Sequence, residues 1–225
     1  MNNLSIAIDG PSGVGKGITT KLVSKELNLK ALDSGAIYRA IAYYMLSNKI
    51  KLKTFKDDIL KNINISFTEH NFVELNGVSV DDKIRNDEIG RLASDFGKIK
   101  SIRKFATEIQ KKLVLSSGYV VEGRATAYEI PQIPIKIFLT ADMKVRAQRR
   151  YEEYKQEDPS IKFKEVLENI KERDMQDKSR LEHPLIKHKD AHLIDNSNLS
   201  IDEQVKLIVD IYDDYVTNLN NKHNK

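Results

Sequence analysis

The sequence predicts an α/β fold: a parallel β-sheet flanked by helices, with one small antiparallel insert. Three observations predict it. Short apolar runs alternate with helix-like segments along most of the chain, the pattern of strand–helix–strand crossovers. The first run breaks into a glycine-rich turn with a lysine at the mouth of a helix, IAIDGPSGVGKGITT. One region, residues 63–80, leaves this rhythm for apolar–polar alternation around turns.

Residues 4–8 read as a buried strand and residues 19–27 as the body of the helix after the turn. Residues 30–33 form a short strand, followed over 36–46 by a helix whose apolar positions recur at three and four. In the insert, 63–68 and 72–75 alternate apolar with polar residues around a turn at 69–71. Asn76-Gly77 then turns the chain into 78–80. Residues 87–116 read as one long helical stretch. Residues 119–122 and 135–139 are apolar strands bounded by turn residues or a charge. Residues 163–180 are helical by spacing and heavily charged. Residues 191–194 make a last strand, 201–215 an amphipathic helix, and 218–225 a polar, frayed tail.

The bulk properties narrow the function. The chain has 225 residues, 40% hydrophobic and 31% charged, enough to bury a real core in one sizeable domain. It has no cysteine, which excludes disulfides and thiolate metal sites. No apolar run approaches the ~18–20 residues that span a bilayer, and the N-terminus lacks the pattern of a signal peptide. The formal charge of +4 is mild and the lysines are scattered among acids, without a basic–aromatic stripe. The expectation is a cytoplasmic enzyme that binds neither nucleic acid nor membrane.

The turn carries the chemistry. Gly10, Pro11, Ser12, Gly13, Val14, Gly15 and Lys16 match G-x-x-x-x-G-K, in which backbone N–H groups and a helix N-terminus surround phosphate oxygens. Lys16 would reach the β- and γ-phosphates as a point charge. A hydroxyl that binds Mg2+ normally follows the lysine, but Gly17 stands here, with Ile18 next. The metal would then depend on carboxylates. Glu122, at the end of an apolar strand, is one candidate; Asp9 is either another or a cap or hydrogen-bond acceptor within the loop.

Phosphoryl transfer needs positive charge around the moving group, and arginine supplies it as a planar fork. Arg39, Arg85, Arg103, Arg124, Arg173 and Arg180 lie at the ends of predicted elements. Arg124 follows a buried strand at once, where ligand sites of open α/β sheets lie. Arg173, Asp177 and Arg180 share one helical face, which alone reads equally as a solvated, ion-paired helix. His183, His188 and His192 lack the spacing of metal ligands.

These residues resemble the bacterial cytidylate kinases, of the nucleoside monophosphate kinase group, over nearly the whole chain. The resemblance rests on IAIDGPSGVGKG, LDSGAIYRA at 32–40, KIRNDEIGRLAS at 83–94, VVEGR at 120–124, KIFLTA at 136–141 with Arg146, Arg149 and Arg150, and IKERDMQDKSR with PL at 170–185. It implies a P-loop kinase in a single domain, 1–225, with a monophosphate-binding insert at 60–100 and a helical lid at 150–183. It implies ATP and Mg2+ as cofactors, CMP or dCMP as acceptor, a place in pyrimidine metabolism, and a monomer. By the same resemblance Arg39, Arg124 and Arg180 would hold the acceptor phosphate, and Ser34, Ser94 and Arg103 the cytosine. Arg173 and Asp177 would approach the sugar, and Arg149 or Arg150 would cover the donor phosphates.

Three departures stand against the pattern. Where the family usually has Thr after GKG, this chain has Ile18, with one hydrogen bond to a charged group fewer, about 1.5–3 kcal/mol. Thr19 is the substitute at hand, although it points about 100° further around the helix. The family's DGRD reads Glu122-Gly123-Arg124-Ala125, so the second acid, which helps read the base, is missing. The segment that follows is Thr126-Ala127-Tyr128 rather than one bearing glycine and threonine. Besides an active kinase, the departures admit a less selective nucleoside monophosphate kinase or a degenerate nucleotide-binding protein with little turnover.

Overall fold

The computed structural model describes residues 4–68, 72–180 and 183–223. In chain order its elements are β1 (Ile6–Asp9), α1 (Lys16–Glu26), β2 (Lys30–Asp33), α2 (Ser34–Ser47), β3 (Ile65–Phe67), β4 (Val73–Leu75), β5 (Val78–Ser79), α3 (Asp87–Phe96) and α4 (Lys100–Ser116). Then follow β6 (Tyr119–Gly123), α5 (Thr126–Glu129), β7 (Ile135–Thr140), α6 (Met143–Glu157), α7 (Phe163–Lys178), β8 (His192–Asp195) and α8 (Ile201–His223). The chain divides into two compact units, one of residues 1–31 with 117–225, the other of 32–116.

The first unit is built on the predicted sheet, five strands in the order β2-β6-β1-β7-β8. Ile6 pairs with Val120 on one side and Ile135 on the other, both in parallel. All four β1 residues are buried, because a central parallel strand is covered on both faces and cannot alternate. Helix α1 packs on β6 and α8, and α8 also on β7. Ile6, Ile8, Val23, Val120, Ile137, Leu139 and Ile208 form one apolar core, each burial contributing roughly 1.5–3 kcal/mol. Helices α6 and α7 pack through a smaller core of Ala147, Val166 and Ile170.

The second unit holds the antiparallel insert, a sheet of order β3-β4-β5. Ile65 pairs with Leu75 and Phe67 with Val73, which puts Ile65, Val73 and Leu75 in the unit's core. Asn76 and Gly77 both have left-handed φ, 51° and 78°, as a tight hairpin turn demands. The turn expected at 69–71 lies outside the described residues.

The structure departs from the sequence reading at several elements. The stretch 87–116 is two helices, because Gly97 caps α3 by donating to Ala93 O at 2.9 Å and the chain turns before Lys100. The polar end of the chain continues α8 to His223, past the expected end at 215 and through most of the expected frayed tail. Helix α6 was not read from spacing, and the helical lid that the resemblance implied begins only at 150, inside it; Arg146 and Ala147 are its only buried side chains among those described. Among the described residues, no helix is long and apolar enough to cross a membrane.

Candidate active site

In the first unit, strand β1 ends in the glycine-rich turn at the carboxyl edge of the sheet. Gly10 is required there: a Cβ would fall 2.5 Å from Leu139 O. Lys16 opens α1 and is 6% exposed, its Nζ donating to Gly10 O at 2.8 Å and Pro11 O at 2.7 Å. Burial, and then the like charge of Arg124, hold its pKa well below the ordinary lysine value, while Glu122 and Asp9 oppose the shift. An anion arriving here would meet a cation already stripped of water.

Arg124 stands just past β6, and the turn that presents it is anchored by Asp9. The two Asp9 carboxylate oxygens accept the N–H groups of Thr126 at 2.8 Å and Ala127 at 2.9 Å. Asp9 is thus a hydrogen-bond acceptor, but for the turn after β6 rather than within the phosphate loop as expected. Burial raises its pKa, and those bonds work against the rise. Gly123 admits no side chain, since a Cβ would lie 2.0 Å from Thr126 Oγ1. Ala125 is buried in this turn.

Arg124 Nε donates to Asp177 Oδ2 at 2.7 Å, and Arg180 pairs with Oδ1 of the same carboxylate. Asp177 is buried and so fixes two guanidinium groups from different elements. Arg173 is exposed, yet surrounding protein and then the like charge of Arg124 lower its pKa, with Asp177 opposing. Arg124 and Arg173 both act on Lys16 electrostatically. Arg124, Arg173, Arg180 and Lys16, set against the acids Asp177, Glu122 and Asp9, thus cluster at the end of the sheet, and the excess of cations suits phosphate.

Glu122 faces the phosphate loop. A Cβ at position 17 would lie 3.6 Å and 3.7 Å from its two carboxylate oxygens. The carboxylate thus lies next to the place of the usual loop hydroxyl, and hard oxygen ligands suit Mg2+. Ile18 is half exposed on the first turn of α1. Thr19 does not replace the missing hydroxyl: its Oγ1 donates to Gly15 O at 2.8 Å, accepts from Gln204 Nε2, and has no exposed surface.

The lid arginines differ from one another. Arg149 donates to Asn196 Oδ1 at 3.1 Å and Asn196 O at 2.8 Å. Arg150 lies over the Tyr154 ring, 4.4 Å from its centroid, and donates to Glu153 at 2.9 Å. Arg146 is buried and grips the loop at Ser12 O, 2.7 Å away.

In the second unit, Asp33 caps α2 through Ala36 N at 3.2 Å and pairs with Arg39 at 2.5 Å. Arg39 Nε is buried without a hydrogen-bond partner. Ser34 opens α2 and is buried; Ser94 on α3 and Arg103 on α4 are half-buried. Arg85 donates to Asp81 at 2.9 Å, with Asp33 at 3.9 Å.

Sequence reasoning missed Asp174, Asn196 and Gln204 as parts of the site. A signal existed for the first: Val166, Ile170, Asp174 and Asp177 fall on one buried stripe of α7, so two acids occupy core positions. Asn196 and Gln204 carry no comparable signal, since they lie far from the loop in sequence.

Comparison with known proteins gives a consistent picture. The family model described as cytidylate kinase matches residues 6–214. A cytidylate kinase of Fervidobacterium nodosum is 42% identical over 92% of this chain and 94% of its own. One from Pseudothermotoga lettingae is 40% identical over 90% and 91%. Among solved structures, a gluconokinase from Sinorhizobium meliloti 1021 has TM-score 0.50 at 14% identity, covering 98% of this chain and 97% of its own. That last likeness concerns the fold alone.

Proposed function

The chain belongs to the cytidylate kinase family, and from that premise we propose that it transfers the γ-phosphoryl group of ATP to CMP or dCMP. An acceptor phosphate oxygen forms the new bond to the γ-phosphorus, and the bond to the β–γ bridging oxygen breaks, leaving ADP and the diphosphate. The observation that carries the reading is the buried Lys16 at the phosphate loop, within the field of Arg124 and Arg173. Such a transfer requires little covalent help and much fixed positive charge.

The roles divide by unit. In the first, residues 10–18 hold the triphosphate, whose charge favours the ammonium form of Lys16. Arg124 and Arg180, both oriented by Asp177, bind the acceptor phosphate, and Arg173 with Asp177 contacts the sugar. Arg149, at the edge of the lid at 150–183, or Arg150, within it, covers the donor phosphates; each is already bonded, the first to Asn196 and the second to Glu153 and Tyr154. In the second unit, whose residues 60–100 form the monophosphate-binding insert, Arg39 contributes to the acceptor phosphate and Ser34, Ser94 and Arg103 contact cytosine. Glu122 is the residue that would hold Mg2+, which supplies charge neutralisation at the phosphates. The reading takes the protein as a cytoplasmic monomer of pyrimidine nucleotide metabolism.

The test is ADP release from ATP and Mg2+ with CMP, dCMP, UMP, AMP or no acceptor. ADP formation that depends on CMP or dCMP is the expected result. A folded protein that releases ADP at the same rate with and without CMP overturns the reading.

A further inference from the structure

The helix that carries Arg173 and Asp177 also grips the phosphate loop. Between those residues lies Asp174, 4% exposed, whose Oδ1 accepts the Ser12 N–H at 3.0 Å. Its Oδ2 accepts from Arg146 Nη1 at 2.7 Å, and the same Nη1 donates to Ser12 O at 2.7 Å. Arg146 Nε is fixed in turn by Ala141 O at 3.1 Å. Both backbone polar groups of Ser12 are therefore held, the N–H by α7 and the carbonyl by α6.

A buried ion pair is weak evidence for stability, because well-packed apolar residues often serve as well. Besides the bond from Arg146 to Ala141 O, this pair directs two hydrogen bonds at a single loop residue, Ser12. That residue sits in a segment with three glycines, Gly10, Gly13 and Gly15, whose backbone freedom must be lost before its N–H groups can converge on phosphate. Ser12 is the loop position where a peptide rotation would redirect the groups that follow.

We propose that Arg146 and Asp174 are positioning residues for the phosphate loop, fixing the peptide orientation at Ser12 in advance of ATP. Because Asp174 lies on α7 beside Arg173 and Asp177, one helix sets both the loop and the arginine cluster. This rests on reading the loop as the site of the ATP phosphates.

The experiment compares wild type with the double variant Arg146→Met/Asp174→Leu, which leaves no buried charge unpaired. Calorimetric titration gives the Kd for ATP with Mg2+, and kinetics give kcat and KM for ATP and for CMP. The expected result is a roughly tenfold or larger rise in Kd and KM for ATP, with a smaller change in KM for CMP. A folded double variant whose ATP constants stay within about twofold of wild type overturns the proposal, whatever its melting temperature. If the double variant does not fold, amide hydrogen exchange of nucleotide-free wild type decides: a protected Ser12 N–H supports the grip, and exchange at the rate of an open loop overturns it. Wild type that binds no ATP overturns this inference and the proposed function together. Wild type that binds ATP but makes no CMP-dependent ADP overturns only the function.

Discussion

The phosphate loop is held at two places by unlike means. At Ser12 the hold is ionic, through the Arg146–Asp174 pair. At Val14 and Gly15 it is neutral: Asn196 Nδ2 donates to Val14 O at 2.8 Å, and Thr19 Oγ1 donates to Gly15 O at 2.8 Å. Gln204 links the two, accepting from Asn196 and donating to Thr19. Asn196, Gln204 and Thr19 are all buried. The groups that bond these loop carbonyls are neutral, although Asn196 itself accepts from the Arg149 guanidinium. The ionic hold places its charges on α6 and α7, the helices that also carry Arg149, Arg150 and Arg173. The difference teaches that the loop's junction with α1 is fixed as part of the core, while its tip is fixed by the same helix that holds the anion-binding groups.

Four changes would break or sharpen this contrast. The largest effect belongs to Arg146→Met alone, which leaves the Asp174 carboxylate buried without its cation and should cost about 3–5 kcal/mol. Urea denaturation measures it, and a loss below about 1 kcal/mol would show that the pair is not the buried anchor described above. Asn196→Ala strands Val14 O and one Gln204 group together, at about 1–3 kcal/mol. Urea midpoints measure the loss, and one below about 0.5 kcal/mol would contradict a buried bond that holds Val14 O. Thr19→Val keeps the shape and removes the hydroxyl, at about 0.5–1.5 kcal/mol, read as a small fall in urea midpoint with kcat little changed. A fall in kcat as large as that from a loop mutation would instead mean that Thr19 touches the phosphates.

The smallest effect concerns pH. Burial raises the Asp9 pKa above its ordinary 3.8, so the folded protein binds that proton more tightly than the unfolded chain. The stability tied to Asp9 is full below the unfolded value and is lost as pH rises through the raised folded value. Asp9→Asn does not titrate, so the stability of wild type relative to this variant should decline as pH rises from about 3.8. Urea midpoints measured across that range check it, and a difference that grows with pH reverses the sign and refutes the assignment.

Much of the fold was legible because its signals are local. The apolar runs of β1, β6 and β7 and the break at Gly10–Lys16 needed no tertiary information, and Asn76-Gly77 announced its own hairpin turn. The split between α3 and α4 was hidden because the pattern continues across Gly97, and only the cap decides where the first helix stops. Helix α6 was hidden because it buries so little. At the site, the loop and the arginines could be named from motif and element ends, and Glu122 from its place after a strand. Whether Asp9 was a metal candidate or an acceptor could not be, because that depended on the N–H groups of Thr126 and Ala127, more than a hundred residues away.

The sequence by itself determined the α/β class, the phosphate loop, the family and the identity of the cations, since each is written in contiguous residues or in spacing along one helix. Only the tertiary structure decided what each polar group does. It assigned Thr19 to the core rather than to phosphate, joined Arg124 and Arg180 through one buried carboxylate, and bound Ser12 to helices whose residues lie some 130 to 160 positions later. Hydrogen bonds form between groups that folding brings within about 3 Å, and separation along the chain carries no record of that distance.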